Sequence, residues 1–258
     1  KIVIEGVEYT PEELERYYKE LMNPAEDVQL KRDIPAGKNL QFISDKKLYN
    51  EIIKYFTKTF PTHQDVLNQK FKWDDKKSVA FGSNPYIATG VDMFLKQQNS
   101  KCRIATQKDL ETNLEMFRGF YEDTGLALRS LEKPNSVQAK NLHSQIKRAT
   151  PNIDFPIFTE LRNLDLDSNL NFNLTPLSRY KTADCLNWAS RTHYSQTDDF
   201  GLPRAEDKNS SRQIWTITKG LVGLFLDWVL DLGSGSEYLS GSLDNGRVVL
   251  VSAEGSAP

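Results

Sequence analysis

Between residues 224 and 232 a large apolar side chain stands on every second position: Leu224, Leu226, Trp228, Leu230 and Leu232. The interleaved positions hold Gly223, Phe225, Asp227, Val229, Asp231 and Gly233, a mixture of small, aromatic, acidic and aliphatic residues. An extended chain sends alternate side chains to opposite faces. Period two therefore predicts a strand with a uniform apolar face on the core and a mixed face outward. The following stretch, 234–242, is small and polar around Tyr238 and Leu239. Asp244-Asn245-Gly246 tolerates positive φ and predicts a hairpin, and 247–251 is a β-branched strand expected to pair back into the sheet. Rigid support beneath aromatic and adaptable polar side chains is what a binding surface requires.

The same period recurs at 164–174. Leu164, Leu166, Leu170, Phe172 and Leu174 share one parity, while Asp165, Asp167, Asn169, Asn171 and Asn173 share the other. This predicts a half-buried strand. The acidic parity resembles the start of a calcium loop, but Leu170 stands where its glycine belongs and Pro176 where its bidentate acid belongs, so no metal is expected. Before residue 150 the periodicity is helical. A short strand is predicted at 1–5. Thr10-Pro11-Glu12-Glu13 combines an N-cap, an N1 proline and a capping-box acid, predicting a helix through Leu14, Tyr17, Tyr18 and Leu21. A second helix is predicted at 45–59, with Leu48, Ile52, Tyr55 and Phe56 on one face. A third follows Thr106 through Leu110, Leu114, Phe117 and Tyr121 to a left-handed cap near Gly125, and a fourth covers 137–149. The change of period predicts a boundary near residue 150, between a mostly helical region, 1–150, and an α+β domain, 151–258.

Composition narrows the function. The 258 residues carry a net charge of -2, so no whole-chain basic field invites nucleic acid or an anionic membrane. The longest apolar stretch, 220–232, is broken by Asp227 and Asp231 and falls short of the roughly 18 residues of a membrane helix. Neither nucleic-acid binding nor membrane insertion is expected. Cys102 and Cys185 are read as two buried thiols rather than a disulfide. Cys185, beside Leu186 and Trp188, reads as core, and nothing but proximity pairs it with His193. The three histidines lack metal-ligand spacing, and no phosphate-binding glycine loop or nucleophile elbow is present. No catalytic residue, metal or cofactor is predicted.

Four segments, in order, carry a resemblance: Cys185-Leu186-Asn187-Trp188-Ala189-Ser190 at a predicted helix end, Gly201-Leu202-Pro203-Arg204-Ala205-Glu206, Ile214-Trp215-Thr216, and Gly246-Arg247-Val248-Val249. This order resembles the formylglycine-generating-enzyme branch of the C-type lectin fold over roughly residues 155–258. Within it, 220–252 resembles the variable region of a diversity-generating-retroelement protein, in which adenine-directed errors diversify scattered codons within a fixed frame.

The resemblance implies a helical N-terminal part followed by a C-type lectin domain, α+β overall, displaying a diversified ligand-binding surface. It implies a receptor- or adhesin-like role without catalysis, at a virion or cell surface, although no export signal is visible in this chain. The ligand would be a protein or another cell-surface molecule. The residues implied to contact it are Val222, Gly223, Phe225, Asp227, Val229, Asp231, Gly233, Gly235, Tyr238, Ser240, Leu243 and Asp244. Phe225 and Tyr238 would be aromatic anchors, and Asp227, Asp231 and Asp244 polar partners. The N-terminal part would serve virion attachment or homo-oligomerisation. Two alternatives stand beside this reading: a metal-dependent enzyme related to the formylglycine-generating enzymes, and a structural virion or envelope protein with no variable ligand.

Overall fold

A computed structural model describes residues 39–252 and two short upstream strands, β1 (Ile2–Ile4) and β2 (Val7–Tyr9), which pair antiparallel. The helix predicted from Thr10 lies outside the described residues. Asp45 keeps extended φ and ψ and accepts the Lys47 N–H at 2.7 Å, which starts α1 (Lys46–Thr59) where the sequence predicts it. Ile52 and Phe56 bury its apolar face. Asn84 accepts the Ile87 N–H at 2.8 Å, with Pro85 in the first turn, and starts α2 (Pro85–Gln97). This helix was not among the predicted elements. The helix predicted at 137–149 is present as α4 (Ser136–Ala149).

The third predicted helix is largely absent. Thr106 and Asp109 do form a capping box, but α3 (Gln107–Glu111) is short and gives way to a 3-10 turn at Leu114–Phe117. From Tyr121 the chain is extended, as β7 (Tyr121–Leu128). Gly125 is not a helix cap. A Cβ there would lie 2.1 Å from the Phe158 ring, so glycine lets that ring pack onto the strand.

The fold is α+β. Its principal sheet runs in the order β11 (Tyr180–Thr182), β8 (Ile157–Glu160), β7, β14 (Leu221–Leu226), β15 (Leu232–Ser234), β13 (Gln213–Thr216), β12 (Thr192–His193), with β16 (Gly246–Arg247) also paired to β7. A second sheet places β17 (Val249–Ser252) between β3 (Leu40–Phe42) and β6 (Cys102–Ile104). The hairpin predicted at 244–246 is therefore corrected: the segment after it leaves for β7 and then for a different sheet. Two further hairpins are β4 (Lys72–Asp74) with β5 (Val79–Phe81), and β9 (Leu164–Leu166) with β10 (Phe172–Leu174). The single strand predicted at 164–174 is thus a hairpin, yet its burial parity holds, with Leu164, Leu166, Leu170 and Phe172 buried.

Two features correct the predicted division at residue 150. The described part of 1–150 contributes five strands after β2 as well as its helices, and β7 lies between β8 and β14 in one continuous sheet. One core cluster contains Ile52, Phe56 and Leu142 together with Leu164, Leu221 and Leu250. The segment carrying Cys185 is a 3-10 turn, Asp184–Asn187, rather than a helix end. Both cysteines are free and buried, and no helix among the described residues is long and apolar enough to cross a membrane.

The principal sheet is covered on both faces. Leu126, Leu128 and Leu221 pack into the cluster that includes the helices. Ala127, Val222, Leu224 and Leu232 pack against Cys185, Leu186, Tyr194, Phe200 and Leu202 on the other side. Each fully buried leucine contributes about 1.5–3 kcal/mol. Most of that burial depends on pairs that straddle residue 150. A fragment of residues 151–258 should therefore be unfolded, giving collapsed amide dispersion in NMR. A cooperatively folded fragment would contradict this.

Candidate ligand-binding surface

The predicted strand through 222–233 is interrupted by a turn. The Asp227 N–H donates to the Asp231 carbonyl at 2.9 Å, the Asp227 carbonyl accepts the Leu230 N–H at 3.0 Å, and Asp227 Oδ1 accepts the N–H groups of Val229 and Asp231, each at 2.9 Å. Leu230 takes a left-handed φ of 73°. The same turn occurs twice more. Asp167 Oδ1 accepts from Asn169 and Asn171, with Leu170 at φ 57°, and Asp198 Oδ1 accepts from Phe200 and Leu202, with Gly201 at φ 78°. A leucine in the left-handed region costs about 1–2 kcal/mol. Leu170 and Leu230 are both buried, and that burial, at about 1.5–3 kcal/mol, offsets the strain. The third turn has no leucine there to bury, and glycine occupies the position.

This turn sorts the predicted contact residues. Asp227 and Asp231 are structural: Asp227 holds the turn, and Asp231, 5% exposed, accepts the Gln213 N–H at 2.9 Å and the Trp215 indole N–H at 3.4 Å. Burial pushes the Asp227 carboxyl above its ordinary range, while the two N–H donors oppose that shift. Val222 is fully buried, packed in the core on the loop-covered face, and cannot reach a ligand. Gly223 and Gly233 are buried as well. The period-two reading fails here because it assumes one solvated face, and β14 has none over 221–224.

Trp228 corrects the reading in the other direction. It was placed on the core parity, yet at the turn's apex it is 49% exposed, beside Val229 at 53%. Arg212 braces the turn from behind: its Nε donates to the Leu230 carbonyl at 2.7 Å while both Nη atoms reach the Glu111 carboxylate. The second exposed stretch is the loop after β15. Tyr238, at 79%, is its most exposed large side chain, Leu243 is also exposed, as are Ser240 and Asp244, and Gly235 is half-buried.

Phe225 lies between these two segments. It is half-buried, edge-on to Tyr121 at 6.0 Å, and its ring lies over Gly233, where a Cβ would approach within 2.4 Å. Strand register places Asp123, Phe225, Gly233 and Trp215 in one row across four strands, so their Cα–Cβ bonds share a face. The Arg191 guanidinium stacks on Trp215 at 4.5 Å. Tyr121 links the row to the loop, since its hydroxyl accepts the Leu243 N–H and donates to the Ser83 carbonyl, both at 2.8 Å. Asp123 was missed by sequence reasoning because its strand was read as helix.

Three carboxyls are pushed well above their ordinary range, and for Glu122 burial and the neighbouring Asp123 outweigh the charge of Arg247. Burial pushes Asp123 up to about 7 against a hydrogen bond from Ser83. It also pushes Glu160 up to about 7 against the opposing charge of Arg179. Burial raises the Cys185 thiol to about 12, so it supplies no thiolate at neutral pH. Among the described residues no group of three or more His, Cys, Asp or Glu side chains could hold a metal. No protein family, curated protein or solved structure matches the chain.

Asp227→Ala should destabilise the fold by about 1–3 kcal/mol, since two N–H groups lose a charged acceptor, and Asp227→Asn by less. Urea denaturation measures both, and equal losses would refute the turn's dependence on that oxygen. The raised carboxyls predict a pH effect of defined sign. The folded chain keeps a proton on Asp123 and Glu160 between about pH 4 and about pH 7 that the unfolded chain has released, so their contribution to stability falls as pH rises through that window. Relative to the parent, Asp123→Asn and Glu160→Gln should each gain stability as pH rises from about 4 to about 7 and then level off. A pH-independent difference would rule this out.

Proposed function

We propose that this chain is a ligand-binding protein without catalytic activity, presenting a retroelement-diversified surface on a C-type lectin scaffold. The observation that carries the reading is where apolar side chains stand exposed. Trp228, Val229, Tyr238 and Leu243 are exposed within 228–243, whereas neighbouring Leu224, Leu226, Leu230 and Leu232 are buried. Single exposed apolar residues are ordinary, but their concentration on two loops closing one sheet is what an interaction surface requires. The frame beneath is rigid. The Asp227 turn, the Arg212–Glu111 pair and the Tyr121 hydroxyl hold both loops through groups that the exposed side chains do not supply. Trp228 and Val229 can therefore change without disturbing the turn. The ordered segments around Cys185, Gly201, Ile214 and Gly246 support the scaffold assignment, and the fixed leucine frame supports the diversified one.

The contact set in this reading is narrower than the sequence pattern implies: Trp228, Val229, Tyr238, Ser240, Leu243 and Asp244 at the surface, with Phe225 and Gly235 at its base. Sequencing natural copies of the gene's 3′ end tests it. Substitutions should cluster at codons 229, 235, 238, 243 and 244, while Val222, Asp227 and Asp231 stay constant. A segment invariant among natural copies would end the diversified-surface reading.

A further inference from the structure

Asp123 forms part of the floor between the two exposed loops, directly across the strand pair from Phe225. One of its oxygens is committed: Oδ2 accepts the Ser83 hydroxyl at 2.7 Å, and Ser83 Oγ accepts the Asp123 N–H at 3.3 Å. Ser83 is itself fixed, its N–H donating to Ser242 Oγ at 3.0 Å and its carbonyl accepting the Tyr121 hydroxyl. The other oxygen, Oδ1, has no hydrogen-bond or ion-pair partner among the described residues. It lies 3.5 Å from the position a Cβ would take at Gly223, with the Pro85 ring 3.3 Å from the same point. Because residue 223 is glycine, no side chain covers Oδ1 from that strand.

Asp123 keeps partial contact with solvent, while Glu122 beside it alternates to the opposite face and is 2% exposed. No lysine, arginine or histidine pairs with Asp123 among the described residues. Without a counter-charge this carboxyl holds its proton until about pH 7, and a cation that reaches it favours the ionised form, so binding should strengthen as pH rises through that value. Tyr121, two residues earlier on the same face, and Phe225, opposite, place aromatic rings beside it. A carboxylate flanked by aromatic rings suits a cationic head on an apolar stem.

We infer that Asp123 Oδ1 anchors a cationic group of the ligand, an ammonium or guanidinium such as a lysine or arginine side chain of a protein, with Phe225 and Tyr121 as flanking rings. The inference rests on the reading of this surface as ligand-binding and deepens it. Asp123, Ser83 and Tyr121 lie outside 220–252, so the carboxyl and one of its two rings would be shared by all variants while Phe225 and the loops supply private specificity. The competing role for Asp123 is purely structural, holding Ser83 at the start of α2, and an asparagine would still accept that hydroxyl.

The test uses the full chain and small probes: n-butylammonium and methylguanidinium chloride against n-butanol, followed by amide chemical shifts of residues 121–125 and 223–225. Both cations should give saturable shifts with half-saturation at about 1–10 mM, and butanol none. Asp123→Asn should weaken cation binding at least about tenfold with the remaining spectrum unchanged. Gly223→Ala, which leaves the charge and fills the space, should weaken it too. Equal responses to butanol, an Asp123→Asn variant that binds as well as the parent, or no saturable response to either cation would overturn the inference. The diversified-surface reading is decided separately, by natural sequence variation, so a failed titration leaves it standing and an invariant gene leaves the titration result intact.

Discussion

The pairing of β7 with β14 is the constraint on which the rest of the structure depends. These two strands lie side by side in the middle of the principal sheet, from Leu221 opposite Leu128 to Leu226 opposite Glu122. Helices cover one face and the segment from Ala183 to Leu202 covers the other. Once both faces are dry, no polar side chain can alternate into solvent over 221–224. Exposed side chains can begin only where the strand ends. The slip in register between Leu224 and Phe225 marks that point: from there the chain turns outward, Phe225 is half-exposed, and the Asp227 turn follows. Bulges often re-aim a strand in this way at its functional end.

The repeated aspartate turn separates support from display by chemistry. Its first residue supplies an acceptor to two backbone N–H groups, its fourth supplies a left-handed φ, and the side chains of its second and third supply nothing to the turn's own hydrogen bonds. In the Asp167 turn those free positions are Ser168 and Asn169, both exposed; in the Asp227 turn they are Trp228 and Val229. The same backbone thus presents polar side chains at one place and apolar ones at another.

Much of the helical part was legible. A one-sided apolar face over 45–59 gave α1, and the helix expected at 137–149 is α4. The helix α2, buried nearly all round with Thr89, Gly90 and Asp92 included, was not read from the sequence. Its signal was local, in Asn84-Pro85. β7 was mistaken for helix because Leu110, Leu114, Phe117 and Tyr121 happen to fall at helical spacing across a 3-10 turn. At the surface, Tyr238 was legible within a polar stretch, Leu243 was named only through the resemblance, and Leu239 in the same stretch is buried. Asp227 and Asp231 were not legible as structural, because leucine is a poor turn former and Leu230 disguises the turn. Asp123 depended on partners as distant as Ser83 and Phe225, which no local pattern brings together.

The position of β17 carries a consequence for any chain whose preceding segment is copied with errors. Val249–Ser252 is the middle strand of its sheet, held by Leu40–Phe42 on one side and Cys102–Ile104 on the other, and Val249 and Val251 complete the cluster around Leu226 and Leu230. A frameshift or stop codon arising between 220 and 245 would delete the strand that closes this core, whereas a substitution at Val229 or Tyr238 would not. Folding would then act as a proofreader of reading frame: a damaged copy would fail to assemble, and an altered but intact one would pass.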